Sequence, residues 1–334
     1  MTQNPFTTKS YESIWTKHFS HESKINSFEA VKGVKFVKDK RFPFYVNAGK
    51  NQTNGMTYQL DGAASNFKNK TVLIHDVLSY LQEKQDKDIK NSRIKVKTIP
   101  QYKGLYADLS EVKSIDEVMA SCFSSKSRSR FRGRIRQIET NFNISQKVYF
   151  GEIDKADYLE KMDILKSFIV SRFEQRNEHN SVVPLWDFYV DLIYPLILEK
   201  KVVFNVINDG EVPIAMSINF VYDDMVAIAI RSFDISHYKY NIGNLEIYKL
   251  IEWCIDNGIN ILDFSKGKAD YKDRWSNKLY AFECHVIYDS KSLISILTAN
   301  SVSSFYRTKQ YLRDKNINLW YTKVKFKFKK LLGK

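Results

Sequence analysis

Hydrophobic and polar positions follow a regular order through the second half of the chain. A strand is predicted at Lys147–Glu152, and Asp154 is placed to cap a helix that runs to about Arg176, because apolar residues recur there at helical spacing. Eight further elements are predicted after this helix. In chain order they are a helix (Trp186–Glu199), three apolar runs joined by tight turns (Lys201–Ile207, Val212–Tyr222 and Met225–Phe233), a helix (Asn244–Asp256), a strand (Asn260–Phe264), a short helix (Tyr271–Trp275) and a last strand (Tyr280–Tyr288). A meander that leads into a strand–helix–strand unit indicates a mixed α/β (α+β) fold.

The pattern in the first half is weaker and also mixes helices with strands. The predicted elements are a helix at Tyr11–Phe19, strands at Val34–Val37, Phe42–Val46 and Arg93–Ile99, a helix at Val72–Gln82, and one or two helices over Ser114–Phe142. The helix at Val72–Gln82 is predicted because Leu73, Val77 and Leu81 recur every four residues. We expect an N-terminal domain at 1–142, a second domain at 143–300 and a basic helix or tail at 301–334.

The composition is that of a folded protein with an affinity for anions. The 334 residues are 43% hydrophobic and 14% aromatic, and the formal net charge is +14. Three cysteines without paired spacing argue against a disulfide framework or a zinc cluster, and no metal site is predicted. No apolar run reaches the roughly 20 residues of a membrane-spanning helix, and the first residues lack the pattern of a secretory signal. We therefore expect a cytoplasmic protein.

Two segments concentrate the positive charge. Lys126–Arg136 lies in a predicted helix and holds six basic residues and no acid, and Lys323–Lys334 alternates lysine with apolar residues. The first is either a face that meets a phosphorylated substrate or a solvated connecting helix. The second suits a peripheral contact with the inner face of the membrane, or equally an edge strand protected by lysines.

Three stretches resemble the GNAT acyltransferases, and within them the CelD/BcsL-like branch that is related to the FemAB peptidyltransferases. The first is the arginine helix, Ser127–Glu139, and the second is Tyr238–Asn244, which leads into a helix. The third, Asp263–Trp275, matches the pattern D-F-x-x-G-x-x-x-Y-K-x-x-W at every position. The resemblance covers about residues 105 to 290. It implies a GNAT-like fold, with two tandem GNAT-like subdomains as the expected architecture, and an N-acyltransferase that uses acyl-CoA, with acetyl-CoA or a longer thioester as co-substrate.

The candidate cofactor-binding residues surround the beginning of the helix predicted at Asn244–Asp256. Free N–H groups and the helix dipole favour a pyrophosphate there, and Gly243 removes the side chain that would block its approach. Alternatively, this glycine ends a loop. Ile242 stands where the family usually has proline. The candidates are Asn241, Gly243, Asn244, Lys268 and Lys272; the lysines suit a solvated basic surface equally well.

The candidate catalytic residues are Asp263, Tyr271 and His237. Asp263 lies at the C-terminal end of the predicted strand Asn260–Phe264 and is predicted to act as base, to orient the amine, or to cap the following turn. By resemblance Tyr271 protonates the leaving thiolate, a task for which a phenol of pKa ~10 is suitable; the alternative is a tyrosine packed under Trp275. His237 is either a base or a surface histidine.

Arg231, Tyr238 and Trp275 are the candidate substrate-binding residues, and Trp275 also fits a place in the core. Backbone N–H groups from the strand that ends near Arg231–Phe233 are the expected oxyanion donors. No Cys/His/Asp set predicts a covalent nucleophile, so the amine is expected to attack directly in a ternary complex.

Three functions compete. The first is acyl transfer from acyl-CoA to an amine, with an amino sugar or another envelope or exopolysaccharide precursor, with or without a phosphate, as the acceptor. The second is a FemAB-like transfer from aminoacyl-tRNA, and the third is a non-catalytic protein that binds nucleic acid or membrane on a GNAT scaffold. The intact Asp263–Trp275 block favours an enzyme, and nucleic acid ranks behind acyl-CoA as the partner.

Overall fold

Two units share the chain in an interleaved order. The computed structural model describes residues 4–20, 23–50, 52–62, 64, 66–82, 92–178, 180–267, 269–315 and 317. The first unit takes its described residues from Met1–Glu22 and Lys103–Tyr280, and the second from Ser23–Tyr102 and Ala281–Lys334. This division differs from the linear boundaries at residues 142 and 300 that the sequence indicates.

Helices and strands alternate along the described chain. The helices are α1 (Lys9–Phe19), α2 (Ser79–Gln82), α3 (Ile115–Cys122), α4 (Ser125–Asn141), α5 (Lys155–Arg176), α6 (Trp186–Leu198), α7 (Ile242–Asp256), α8 (Asp270–Trp275) and α9 (Leu293–Asp314). The strands are β1 (Ile25–Phe28), β2 (Val31–Lys38), β3 (Tyr45–Asn47), β4 (Gln59–Leu60), β5 (Thr71–Leu78), β6 (Ile94–Asp108), β7 (Ile144–Tyr149), β8 (Val202–Asp209), β9 (Val212–Val221), β10 (Met225–Phe233), β11 (Ile261–Lys266) and β12 (Lys278–Asp289).

The sheet of the first unit has the order β6–β11–β10–β9–β8–β7. The pair β10–β11 is parallel, and the other neighbours are antiparallel. Strands β8, β9 and β10 are buried along most of their length because α5, α6 and α7 pack against them. The predicted meander and the strand–helix–strand unit that follows it are both confirmed.

The long helix α5 begins and ends where its sequence indicates. The Asp154 carboxylate accepts hydrogen bonds from the N–H groups of Ala156 (2.8 Å) and Asp157 (3.1 Å), which satisfies two donors of the first turn. Asn177 ends the helix in a left-handed conformation, with φ of 50°. The predicted cap at Asp154 is confirmed.

The second unit contains a sheet of order β1–β2–β3–β5–β12, with β4 paired to β2. The prediction of a helix at Val72–Gln82 is wrong, since Thr71–Leu78 forms strand β5 between β3 and β12 and only Ser79–Gln82 is helical. All eight residues of β5 are buried. A strand covered on both faces shows a continuous apolar run, and this run also fits the spacing of a helix.

Several other predictions are adjusted by a few residues. The predicted Ser114–Phe142 region forms the two helices α3 and α4, and Phe131 and Ile138 of α4 are buried. Helix α7 begins at Ile242, earlier than predicted, so that Gly243 lies in its first turn. Among the described residues, no helix is both long and apolar enough to cross a membrane. The basic tail at Lys323–Lys334 lies outside the described residues.

Candidate active site

Strands β10 and β11 part beyond their first residues. They pair in parallel from Met225–Ala227 to Ile261–Asp263, and β10 then continues to Phe233 along β9. Ser265 in β11 has φ of 59°, and its hydroxyl donates to the carbonyl oxygen of Ile228 (2.8 Å). The strands therefore open at their carboxyl ends, which is where ligands bind in parallel strand–helix units.

Two backbone donors of β10 face this opening. The N–H of Asp234 donates to the carbonyl oxygen of Ile214 in β9 (2.9 Å). Because backbone groups point alternately to the two sides of a strand, the N–H groups of Arg231 and Phe233 point away from β9. This is the segment from which the sequence predicts oxyanion donors.

The first turn of α7 lies beside the opening. Asn241 precedes it in a left-handed conformation (φ 63°) and accepts a hydrogen bond from the Nδ2 of Asn244 (2.6 Å). A Cβ atom built on Gly243 would lie 3.0 Å from a ring carbon of Phe233, so any other residue would force this ring to move by a few tenths of an ångström. Ile242, which replaces the usual proline of the family, is buried against Phe233 and Leu245. The turn is thus anchored by apolar packing, and its N–H groups favour an anion.

A pocket of about 360 Å³ opens at this turn. Its lining residues come from α4, α5, β10, the loop before α7, α7 itself and α8: Arg134, Arg172, Arg231, Phe233, Tyr238, Lys239, Asn241, Gly243, Asn244 and Tyr271. Four of them are cationic, and no carboxylate is among these described lining residues. The pocket therefore attracts an anionic ligand.

Arg172 is a cation of this pocket that is held by an aromatic ring. Its guanidinium carbon lies 4.5 Å from the centroid of the Phe233 ring. Burial, and after it the neighbouring charges of Arg231 and Arg176, lower the pKa of Arg172 to about 10. Among the described residues, no carboxylate lies within ion-pair distance of Arg172. A phosphate or carboxylate of a ligand would reduce the repulsion between Arg172 and these two arginines.

Arg231 is fixed by a buried carboxylate. Glu246 in α7 is 1% exposed and accepts hydrogen bonds from the Nε (3.0 Å) and an Nη (2.8 Å) of Arg231. It also accepts from the hydroxyl of Ser217 (2.5 Å) and the Nδ2 of Asn205 (3.2 Å). Burial opposes the charge of Arg231, but Glu246 and Tyr271 outweigh it and raise the pKa of the guanidinium. The side chain of Arg231 therefore lines the pocket in a fixed position and keeps its positive charge.

Tyr271 lines the pocket beside this arginine. The guanidinium carbon of Arg231 is 4.6 Å from the centroid of the Tyr271 ring. Helix α8, which carries the tyrosine, is fixed by Trp275, whose Nε1 donates to the Oδ1 of Asn244 (3.0 Å). The position of Tyr271 on the lining gives its hydroxyl access to a bound ligand.

A second polar cluster surrounds the carboxylate of Asp263. Asp263 is fully buried, and its carboxylate accepts hydrogen bonds from the hydroxyl of Tyr280 (2.6 Å) and the N–H of Ser265 (2.6 Å). The Nζ of Lys272 donates to the carbonyl oxygen of Lys266 (2.8 Å). Burial lowers the pKa of Lys272 to about 8, although the charge of Asp263 works in the opposite direction.

This lowered pKa predicts a dependence of stability on pH. Between pH 8 and the ordinary lysine pKa of 10.5, the folded protein has lost a proton that the unfolded chain keeps, so the contribution of Lys272 to stability rises with pH. Relative to Lys272→Met, the free energy of unfolding of the wild type should rise by up to about 1.4 kcal/mol per pH unit in this range. Denaturant titrations from pH 7 to 10 measure it, with the exposed Lys278→Met as control. A constant difference between wild type and Lys272→Met would contradict the prediction.

The structure brings six of the predicted site residues to the pocket lining, and others lie elsewhere. The six are Arg231, Tyr238, Asn241, Gly243, Asn244 and Tyr271. Asp263, Lys272 and Trp275 are buried outside the lining, and His237 lies 3.2 Å from the carboxylate of Asp234. Lys268 lies outside the described residues. The chemical roles given to these residues stay predictions.

Arg172, Phe233, Lys239 and Glu246 were not singled out from the sequence, whereas Arg134 belongs to the basic segment Lys126–Arg136 for which a phosphorylated substrate was one of the two predictions. One signal was available for Glu246, because it falls midway between Ile242 and Leu250 at a spacing of four, on the buried face of α7. A carboxylate at such a position requires a buried partner. Arg172 has no comparable signal, since it lies between Ser171 and Phe173 in the last two turns of α5 and no motif includes it.

The comparisons with known proteins agree with this geometry. The family model of the acetyltransferase (GNAT) domain matches residues 125–273, just under half of the chain, which runs from α4 into α8. The matched residues are similar to a GNAT acetyltransferase domain, and the predicted enzyme class, an acyltransferase, and the mixed α/β, GNAT-like fold are confirmed. No curated protein matches the chain.

Solved structures share the fold at low sequence identity. FemX has 10% identity and a TM-score of 0.54, over 79% of this chain and 86% of that chain. A conserved protein of unknown function from Bacteroides thetaiotaomicron has 11% identity and a TM-score of 0.52, over 85% and 91%. The C-terminal domain of a putative lysylphosphatidylglycerol synthetase from Agrobacterium fabrum has 9% and 0.50, over 89% and 95%. At such identities the likeness concerns the fold alone.

Proposed function

We propose that this protein transfers an acyl group from acyl-CoA to an amine at the pocket beside the first turn of α7. The observation that carries the proposal is a pocket lined by four cations and a helix N-terminus, at the point where β10 and β11 part. A pyrophosphate fits that charge, and the gap between parallel strands gives the thioester arm a path to the backbone donors of β10. The match of residues 125–273 to the GNAT domain supports the same donor.

The lining residues suggest how the transfer proceeds. The amine nitrogen attacks the thioester carbonyl carbon, and the N–H groups of Arg231 and Phe233 stabilise the oxyanion that forms. As the carbon–sulfur bond breaks, the hydroxyl of Tyr271 gives its proton to the thiolate. Asp263 and His237, which the sequence predicts as bases, lie outside the lining, so their part in removing the proton of the amine stays a prediction.

The proposed acceptor is an amine that carries a negative charge. An amino sugar linked to a phosphate would pair with a cation that the pyrophosphate leaves free, such as the exposed Arg134 or Lys239. The resemblance of Asp263–Trp275 to the CelD/BcsL-like branch supports an envelope or exopolysaccharide precursor of this kind. Lysines 323–334 would hold the protein near a membrane that carries such a precursor.

A FemAB-like transfer from aminoacyl-tRNA is the second candidate. It is favoured by α4, which exposes Arg130, Arg132, Arg134 and Arg136 and hence a surface for an RNA backbone. One of these arginines, Arg132, pairs with Asp116 (2.7 Å).

Acyl-CoA binding tests the proposal. Saturable binding of acetyl-CoA or a longer acyl-CoA to the full chain is expected in a calorimetric titration. Arg172→Ala should weaken it by about 10- to 100-fold, the usual loss for one hydrogen bond to a charged group. Its stability should remain close to that of the wild type, because Arg172 has no carboxylate partner among the described residues.

Arg176→Ala is the matched control for this titration. Arg176 lies one turn later on α5 and pairs at the surface with Glu178 (2.9 Å), outside the pocket lining. Its replacement should leave the affinity unchanged. Equal affinities of Arg172→Ala and the wild type would place the anionic part of the ligand elsewhere. No binding of any acyl-CoA to the folded protein would overturn the proposal in favour of charged tRNA.

A further inference from the structure

An apolar groove lies on the second unit, between α9 and residues 39–50. It has a volume of about 500 Å³ and is lined by three large apolar side chains that are mostly exposed to solvent. These are Phe42 (60% exposed), Leu297 (57%) and Phe305 (62%). Scattered apolar residues are normal on a surface, but three around one groove mark an interaction site.

The exposed residues of α9 form a stripe along the helix. Ile294, Leu297, Ser301, Phe305 and Leu312 follow each other at helical spacings and are all exposed. The opposite side of α9 packs into the core of the unit, where Ala299, Val302 and Tyr306 are buried. The helix therefore presents a second apolar side that no described residue of its unit covers.

Positive charge surrounds this groove. Lys50 lines it together with a single carboxylate, Asp39. Burial, and after it the charges of Arg313 and Lys50, lower the pKa of Lys309. These three cations therefore repel one another beside the groove. Residues 38–50 and 291–317 together hold nine basic and two acidic side chains. The partner that covers the stripe must therefore bring negative charge.

The positive charge around the groove distinguishes between three candidates that could cover it. Residues 318–334, which follow α9 in the sequence, carry six lysines and no acid, so their docking would bring like charges together. A second copy of the chain, facing the first through the same groove, would oppose the same cations. A bilayer with anionic lipids offers both an apolar layer for Phe42, Leu297 and Phe305 and negative headgroups for the surrounding cations.

We propose that α9 and Phe42 form a docking surface for anionic membranes. The exposed side chains of the stripe enter the boundary between headgroups and acyl chains, and Lys50, Lys309 and Arg313 contact the lipid phosphates. None of these residues lines the proposed acyl-CoA pocket, so the test does not depend on the enzymatic activity.

Sedimentation with vesicles tests the proposal on the full chain. The protein should bind vesicles of phosphatidylcholine that contain phosphatidylglycerol, bind less well as salt is raised, and bind weakly to phosphatidylcholine alone. The double variant Leu297→Gln/Phe305→Gln should lose at least about tenfold in vesicle affinity, because two large apolar side chains no longer enter the bilayer. Both residues are exposed, so we expect the variant to fold.

The control is Val212→Gln, which removes an apolar side chain of similar exposure from β9. It should bind vesicles like the wild type, and circular dichroism should be the same for all three proteins. Equal vesicle binding by the wild type and the double variant would overturn the proposal, since the basic residues alone would then suffice. Absence of binding to vesicles of either composition would also overturn it, in favour of an acidic protein partner.

Discussion

Replacing Glu246 with alanine is expected to lower the free energy of unfolding by about 3–5 kcal/mol, the usual cost of removing one partner of a buried ion pair. Arg231 would keep its charge in a buried position without a counter-charge, and Ser217 and Asn205 would lose a shared acceptor. Unfolding in denaturant, followed by circular dichroism, measures the effect.

Glu252→Ala provides the matched control for this experiment. Glu252 lies on the same helix and pairs with Lys249 (2.8 Å), but both side chains are close to one-third exposed. Partly exposed pairs contribute at most about 1 kcal/mol, so this variant should unfold almost like the wild type. Losses of similar size in Glu246→Ala and Glu252→Ala would show that the buried network does not stabilise the first unit as described.

The second large effect is expected on catalysis. Tyr271→Phe should lower kcat for acyl transfer by about 10²-fold or more, because a positioned general acid contributes at least this much. The affinity for acyl-CoA should stay close to that of the wild type, since the ring still packs against Arg231. Free thiol released from acyl-CoA in the presence of a panel of amino sugars measures the rate.

Tyr248→Phe controls for the loss of a hydroxyl group. Tyr248 lies on α7 with its ring packed against Phe131, at a centroid distance of 5.6 Å, and it is not among the described lining residues. Its replacement should leave kcat unchanged. If Tyr271→Phe retains the wild-type rate, another group protonates the thiolate, and the role given to Tyr271 is wrong.

Local sequence signals predicted much of the first unit. Gly210 and Glu211 form the turn between β8 and β9, and Gly210 has a φ of 57°, a conformation that few other residues accept. Asp154 begins α5 and Gly258 follows α7 for similarly local reasons. Where capping and turn chemistry act within a few residues, the sequence predicts the element correctly.

Features that depend on distant parts of the chain were harder to predict. The buried environment of Thr71–Leu78 comes from β3 and β12, which lie far away in the sequence, so the same apolar run also fitted a helix. Arg172 reaches the pocket because α5 packs against β10, and its own neighbours in the sequence give no sign of this. The motifs at 238–244 and 263–275 located the site, whereas its cations became visible only in the fold.

If acyl-CoA is the donor at this pocket, free thiol and acylated amine must form together. The most direct measurement follows free thiol and the acylated amine together, by a thiol-reactive dye and by mass spectrometry, while the wild-type protein is supplied with acyl-CoAs and amino sugars. Equal amounts of thiol and acylated amine are expected, with the rate reduced in Tyr271→Phe. A folded protein that consumes no acyl-CoA but acylates an amine from aminoacyl-tRNA would contradict it.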